Sequence, residues 1–288
     1  MKRLFIINPK SGKNNKAAEL EQIIKTQFDS ADIVFTKEAG HAKKLAADAV
    51  RQGYVQVIVA GGDGTVNEAA SSLVGTKTSL GIIPFGSGNG LARDINCPID
   101  NLQKACNNIY MSKPVLCDAG KANGEYFFNV AGIGLEATIA HAFAKVEQRG
   151  MLPYFKIGFL QVLKYKAPEI EVWADDKNLI FLNPITLVFA NGKQYGSNFK
   201  IAPKASLTDG KLDMVYVKQS PLWKLALGLP NFFKPNLSSV KLTATRQLKK
   251  AVITSQGKFL YHLDGEPKEA TDKLEIEIVP RAISLLIS

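Results

Sequence analysis

The sequence predicts an α/β fold in two parts: an N-terminal parallel sheet wrapped by helices, then a C-terminal, mainly antiparallel β domain. Three observations predict it. Over the first hundred residues, short apolar runs alternate with stretches of helical periodicity, as buried parallel strands with crossover helices require. Glycine-containing polar turns follow three of those runs. After about residue 114 apolar and polar residues begin to alternate, as they do in half-buried antiparallel strands.

Leu4 to Ile7 is an apolar run closed by Asn8-Pro9 and reads as a buried strand. Ala17, Leu20, Ile23, Ile24 and Phe28 then recur at helical spacing. Ile33 to Thr36, β-branched and aromatic, predicts the next strand. Ala42, Leu45, Ala46, Ala49 and Val50 share one helical face, which Gly53 ends. Val55 to Ala60 is a strand running into Gly61-Gly62-Asp63-Gly64-Thr65, followed by a helix over Val66–Leu73 and a strand over Leu80–Ile83. Gly86 to Gly90 is a further glycine-rich turn. Beyond it, Val115–Cys117 and Tyr126–Phe128 flank Asn123-Gly124, a strong two-residue hairpin signal. Helices are predicted over Leu135–Lys145 and near Pro153–Tyr165. Strands are predicted over Glu169–Ala174, Ile185–Ala190, Leu212–Val217, Val252–Ser255, Phe259–Leu263 and Leu274–Val279. The second domain begins near residue 120, with no repeat and no Gly/Ser linker to mark the join.

Composition narrows the function. With 46% hydrophobic and 22% charged residues over 288 positions, the chain is globular rather than disordered. Lys and Arg number 36 against 26 Asp and Glu, a net charge of +10, yet the basic residues are scattered and meet only in pairs such as Lys43-Lys44 and Lys249-Lys250. That distribution argues against a nucleic-acid-binding tail and leaves an anionic membrane or a phosphorylated substrate as the basic surface's partner, or a surface that is simply solvated and soluble. No apolar run approaches the roughly 20 residues of a membrane span. The apolar run after Met1-Lys2-Arg3 falls short of a signal-peptide core of about 7–15 residues. Cys97, Cys106 and Cys117 form an odd set without metal spacing, so a reducing, cytoplasmic compartment is expected.

The glycine-rich turns carry the chemistry. Gly61-Gly62-Asp63-Gly64-Thr65 follows a strand and opens a helix, which places it at the ligand edge of an open α/β sheet. Glycines there let main chain approach a phosphate, and the helix N-terminus offers free N–H groups. The Asp63 carboxylate would repel a bare phosphate, and so fits with a metal ion or as partner to a hydroxyl. The alternative is a tight turn with an Asp cap. Asn8-Pro9-Lys10-Ser11-Gly12-Lys13 and Gly86-Ser87-Gly88-Asn89-Gly90 are two more such turns after strands of the same sheet, and three would line one crevice. Two look-alikes fail. A P-loop needs Gly at position 7 and Ser or Thr at 14, where Ile7 and Asn14 stand. Gly132-Ile133-Gly134-Leu135-Glu136-Ala137 matches a dinucleotide fingerprint, but it lies mid-chain after a hairpin with no acid-ended strand about 20 residues on.

In order, these motifs resemble the bacterial lipid kinases related to the diacylglycerol kinase catalytic domain and to sphingosine kinases. The resemblance runs nearly end to end: NPKSG at 8–12, Thr36 with Gly40-His41-Ala42, GGDGTVNE at 61–68, PFGSGNGLAR at 84–93, FNVAGIGLEA at 128–137, PKASLTDGKL at 203–212 and DGEP at 264–267. It implies a phosphofructokinase/NAD-kinase-like α/β domain over 1–120 that binds nucleotide, and a β-rich domain over 121–288 carrying metal and acceptor-side residues, whose last strand is free to return to the first. ATP would lie in the cleft between them. Asn8, Pro9, Lys10, Ser11, Gly12, Thr36, Gly62, Asp63, Gly64, Thr65, Val66, Asn67, Glu68 and Ser87 would hold the ATP. Asp209 would bind Mg2+ with the main-chain oxygens of Ser206 and Lys211. Glu266 would be the proton acceptor, with Asp264 beside it and Asp63 as the other candidate base. The chemistry needs little more than cradled phosphates, a divalent ion and an in-line hydroxyl near a carboxylate.

One position departs from the family pattern. Many bacterial members carry Asp after the Asn of the third glycine-rich turn, where this chain has Gly90, as in the small residue of sphingosine kinases; this hints at a long-chain or sphingoid-like acceptor. The expected activity is phosphorylation of a lipid hydroxyl, diacylglycerol-like or sphingoid-like. The rivals are a kinase of a soluble acceptor such as NAD, and a non-catalytic nucleotide- or membrane-binding protein. Expected partners are a lipid substrate at an anionic membrane surface, with the protein peripheral to its inner face, and a second copy of the chain in a homodimer. Pro221 to Lys234 is an apolar stretch with Trp223 and Phe232-Phe233, read as a helix packed on the β domain or as a membrane-docking segment. His41, His141 and His262 lack ligand spacing and suit surface or capping roles. Arg93 and Lys200 are candidates to neutralise phosphate.

Overall fold

Runs of five or six residues, apolar and buried almost throughout, make the strands β1 (Arg3–Ile7), β3 (Gln56–Gly61) and β4 (Ser79–Pro84). A parallel sheet covered on both faces hides such strands completely. They pair in parallel, β1 with β2 (Ala31–Phe35) and β3, and β3 with β4. The computed structural model describes residues 2–12, 16–144, 165–175, 177–181, 183–219 and 243–288. The crossovers are α1 (Lys16–Gln27), α2 (His41–Arg51) and α3 (Asp63–Leu73), as the periodicity predicts. Phe5, Ile7, Leu20, Ile24, Ile58 and Ile83 form the centre of this core.

Two further helices, α4 (Gly90–Asp94) and α5 (Leu102–Met111), were not predicted. The α5 helix has a clear start: Asn101 Oδ1 accepts the Lys104 N–H at 2.8 Å. Leu102, Ala105, Cys106 and Ile109 then fall on one buried face. After α5 the chain runs into β5 (Lys113–Ala122), which turns at Asn123-Gly124 into β6 (Glu125–Phe127). Both turn residues have positive φ, 44° and 89°, as a two-residue hairpin of this type demands.

The chain divides into two compact units, the first made of Met1–Ala119, Gly196–Asn198 and Pro280–Ser288, the second of Gly120–Tyr195 and Phe199–Val279. Antiparallel pairing dominates the second. Its strands are β7 (Val130–Gly134), β8 (Ile170–Ala174), β9 (Lys177–Phe181), β10 (Thr186–Ala190), β11 (Leu212–Val217), β12 (Thr243–Leu248), β13 (Lys250–Leu263) and β14 (Glu266–Ile287), with α6 (Leu135–Ala144) after β7. They run in the order β12-β11-β10-β7-β13-β14, and β8 pairs with β13 and β9. Phe127, Ile133, Leu187, Phe189, Ile253 and Leu274 lie in its core.

The α/β architecture is thus the one predicted, with differences at strand ends. The two strands expected over 252–263 are one, β13, carrying a register shift between Thr254 and Phe259. The strand expected to stop at Val279 continues through Pro280 to Ile287 and pairs Leu285 in parallel with Leu80 of β4. The helix expected near Pro153–Tyr165 lies outside the described residues apart from Tyr165, as does the stretch Pro221–Lys234.

Candidate active site

In the first unit, the three glycine-rich turns interlock at the carboxyl edge of the parallel sheet. Asn8 Nδ2 donates to Thr65 Oγ1 at 2.9 Å, joining the turn after β1 to the start of α3. A Cβ on Gly86 would stand 2.9 Å from Gly62 Cα, so the turns after β3 and β4 touch main chain to main chain. Asp63 closes the set. Its Oδ2 accepts the Asn89 N–H at 2.8 Å and its Oδ1 accepts the Gly90 N–H at 2.7 Å. Both oxygens therefore serve the N-terminus of α4, and Asn89, at φ 51°, donates from Nδ2 to Gly86 O at 2.6 Å to tighten the turn.

The other predicted nucleotide residues sort by exposure. Pro9, Lys10, Gly12 and Ser87 are exposed, and Ser11, Gly62, Gly64 and Asn67 are half-buried. Thr36, Thr65 and Val66 are buried, so Val66 offers a ligand only main chain. Thr36 donates its N–H to Ile7 O at 2.9 Å, which sets it at the end of β1 beside Asn8. Glu68 turns away from the glycines: its Oε1 accepts the Gly40 N–H at 2.8 Å and its Oε2 the Ala42 N–H at 3.2 Å, capping α2. Arg93 bends back to donate from Nε to Gly88 O at 3.0 Å, which makes it a brace for the third turn. The same Gly88 O accepts the Ser197 N–H at 2.9 Å.

In the second unit, Asp264 and Gly265 form the two-residue turn between β13 and β14, with φ 50° and 86°. The Asp264 carboxylate accepts three main-chain N–H groups, from Phe128 at 2.7 Å and from Asn129 and Val130 at 2.8 Å each. Those bonds tie the turn to the entry of β7. Glu266, the first residue of β14, is exposed and sits opposite Leu263 in register. Ser206, Asp209 and Lys211 follow one another in the turn before β11, where Asp209 Oδ1 accepts the Lys211 N–H at 3.1 Å. Gln247 Nε2 reaches Asp209 Oδ2 at 3.4 Å.

That turn fits a hard divalent cation. Its donors are oxygens, and Asp213, whose carboxyl is raised by burial and feels the Asp209 charge, has an Oδ2 shut from solvent with no hydrogen-bond partner. Among the described residues no three His, Cys, Asp or Glu side chains gather into a metal-binding group, so main-chain oxygens would have to complete the set.

Sequence reasoning missed a buried polar cluster around the FNVAGIGLEA segment. His262 is 2% exposed, and burial, with the neighbouring His141, lowers its pKa to about 4. Burial also raises the Glu136 carboxyl to about 8, against the lowering effect of hydrogen bonds from Thr186 and its own main chain. Gly132 serves this packing, while Gly134, at φ 126°, lies against the main chain of Ile185 and Thr186. A Cβ on Gly132 would stand 2.5 Å from His262 Nε2 and 2.8 Å from Glu136 Oε1. The cue available in the sequence was the glycine pair opposite a histidine-bearing strand. The cysteines are all buried, with thiols pushed up to about 12, and none is a nucleophile.

Comparison with known proteins decides the family. The chain matches the diacylglycerol kinase catalytic domain over residues 2–122 and the YegS C-terminal NAD kinase beta sandwich-like domain over residues 129–287. The diacylglycerol kinase of Bacillus subtilis (strain 168) is 32% identical over 234 residues, 77% of this chain and 76% of that protein. The chain belongs to the bacterial lipid kinase family. A Yersinia pestis (strain Pestoides F) relative of this lipid kinase, named "Probable lipid kinase YegS-like", is 28% identical over 287 residues, 97% of this chain and 95% of its own. The crystal structure of a diacylglycerol kinase from Bacillus anthracis str. Sterne shares the fold, with a TM-score of 0.75 at 23% identity over 100% of this chain and 97% of that one. As a family member, this lipid kinase is an ATP-dependent phosphotransferase with a hydroxyl acceptor.

Proposed function

We propose that this kinase transfers the γ-phosphate of ATP to the hydroxyl of a diacylglycerol-like or sphingoid-like lipid, with Glu266 taking the proton. The observation that carries the reading is the interlocking of three glycine-rich turns, the first joined to the second by Asn8 and Thr65 and the second to the third by Asp63, which supports a main-chain cradle for phosphates at one sheet edge. Asn8 to Gly12, Thr36, Gly62 to Asn67 and Ser87 would contact the nucleotide, and Glu68 would act through the loop it caps. Asp63 and Asp264 each hold main-chain N–H groups, which supports positioning tasks for both, and Glu266, exposed beside the Asp264 turn, is taken as the base. In the step, the acceptor oxygen bonds to the γ-phosphorus, the bond to the ADP oxygen breaks, and the hydroxyl proton passes to the Glu266 carboxylate. Asp209, with main-chain oxygens of Ser206 and Lys211, would hold Mg2+, which when bound supplies charge neutralisation.

The test is label transfer from γ-labelled ATP to a panel of diacylglycerol, phosphatidylglycerol, sphingoid and undecaprenol acceptors, with NAD and water as controls. Transfer to a lipid is expected, reduced by about a hundredfold or more in Glu266→Ala. Transfer to NAD alone would overturn the lipid acceptor, and full activity in Glu266→Ala would remove that residue from the role.

A further inference from the structure

The β13–β14 turn places two consecutive residues at positive φ, one of them Asp264. Asp-Gly is a pair that such a two-residue turn favours, and contacts from its surroundings hold each of the two residues. Asp264 is held from outside the turn by the N–H groups of residues 128–130. Gly265 is held from within: His262 Nδ1 accepts its N–H at 3.1 Å. The His262 ring is itself fixed. It pairs in register with Gly132, whose missing Cβ leaves room for Nε2, and the Tyr195 ring lies 5.9 Å from it at 50°. Burial keeps the imidazole neutral at physiological pH, so the Nδ1 lone pair is available.

We propose that His262 is a positioning residue for phosphoryl transfer: by accepting the Gly265 N–H, it fixes the turn from which β14 begins and so aims the Glu266 carboxylate. The inference rests on Glu266 being the proton acceptor. An imidazole at this site does what a glycine-containing turn cannot do alone. Gly265 has the widest conformational freedom of any residue, and it separates the pinned Asp264 from the functional Glu266.

The experiment compares His262→Asn, His262→Gln, His262→Phe, Gly132→Ala and Glu266→Ala for kcat, for KM of ATP and for thermal unfolding. Asn carries an acceptor near the Nδ1 position, whereas Gln carries its amide near Nε2 and Phe has none. His262→Phe is expected to lower kcat by roughly ten- to a hundredfold, the scale of a small misplacement of a reacting group, with KM for ATP unchanged. His262→Asn is expected to recover most of that loss. Gly132→Ala, which pushes on the ring, should lower kcat in the same way. A purely structural role would move the melting temperature and leave kcat of the folded fraction alone. Full kcat in His262→Phe, with Glu266→Ala inactive, would overturn the proposal alone; activity in Glu266→Ala would overturn it together with the assignment of the base. Should His262→Phe not fold, the Asn and Gln variants decide. Equal kcat in the two sinks the idea, and a deficit only in Gln sustains it.

Discussion

Asp63 looks like a catalytic carboxylate in the sequence and behaves as a double cap in the structure. A carboxylate that accepts two main-chain N–H bonds at 2.7–2.8 Å gains charge-assisted hydrogen bonds that fix its orientation. Asp63→Ala should therefore release Asn89 and Gly90 and destabilise the first unit by about 2–4 kcal/mol, since bonds to charged groups contribute roughly 1.5–3 kcal/mol each. Calorimetry checks it, at roughly 2–4 °C of melting temperature per kcal/mol for a chain of this size. Asp63→Asn keeps one acceptor and should fall between the wild type and Asp63→Ala in both stability and activity. An Asn variant with unchanged melting temperature and no activity would instead make Asp63 the base.

At the level of elements, the sequence was legible where burial was continuous and obscure where structure depends on distant partners. β1, β3 and β4 are almost uninterrupted apolar runs, closed by Asn8-Pro9, by Gly61-Gly62 and by the turn that opens at Gly86. The α5 helix escaped because Gln103, Lys104, Asn107 and Asn108 give a ten-residue segment a loop-like composition, although Asn101 caps it. β14 seemed to end at Val279 because Pro280 cannot donate to a ladder; the strand survives because Arg281, at φ 53°, donates its N–H to Asp118 instead. The candidate site residues were named from their motifs, but not their partners. Asp63 bonds a turn 26 residues on and Asp264 a segment more than 130 residues back, and no local pattern reports either. His262 and Glu136 were likewise invisible as a pair, since only the β7–β13 register brings them to one glycine. Their opposite shifts give this element pair a pH signature. Glu136 holds its proton up to about 8 when folded, against an ordinary value of 4.5, so its contribution is full below 4.5 and is lost as pH rises toward 8. For His262, at about 4 against 6.5, the contribution is full above 6.5 and is lost as pH falls toward 4. In urea melts, the stability of the wild type minus that of Glu136→Gln should fall between pH 4.5 and 8, by at most about 1.4 kcal/mol per pH unit. A difference independent of pH would mean that the carboxyl is not held neutral.

For the whole molecule, the unassigned quantity is the net charge of +10. Among the described residues no helix is long and apolar enough to cross a membrane. A kinase with a lipid acceptor must nonetheless reach a hydroxyl lying at a bilayer surface. Scattered Lys and Arg suit that task, because each basic residue near an anionic surface contributes about 1 kcal/mol without any insertion. The attraction acts within a Debye length, about 10 Å at 0.1 M salt and 3 Å at 1 M. Co-sedimentation should therefore show binding to vesicles of phosphatidylcholine mixed with phosphatidylglycerol, little binding to phosphatidylcholine alone, and release as salt rises. Label transfer to a vesicle-borne acceptor should fall along the same salt curve, while transfer to the same acceptor in neutral detergent micelles should fall less. Equal binding to neutral and anionic vesicles, unchanged by salt, would refute the electrostatic account and move attention to apolar docking, for which Pro221 to Lys234 is the segment to delete.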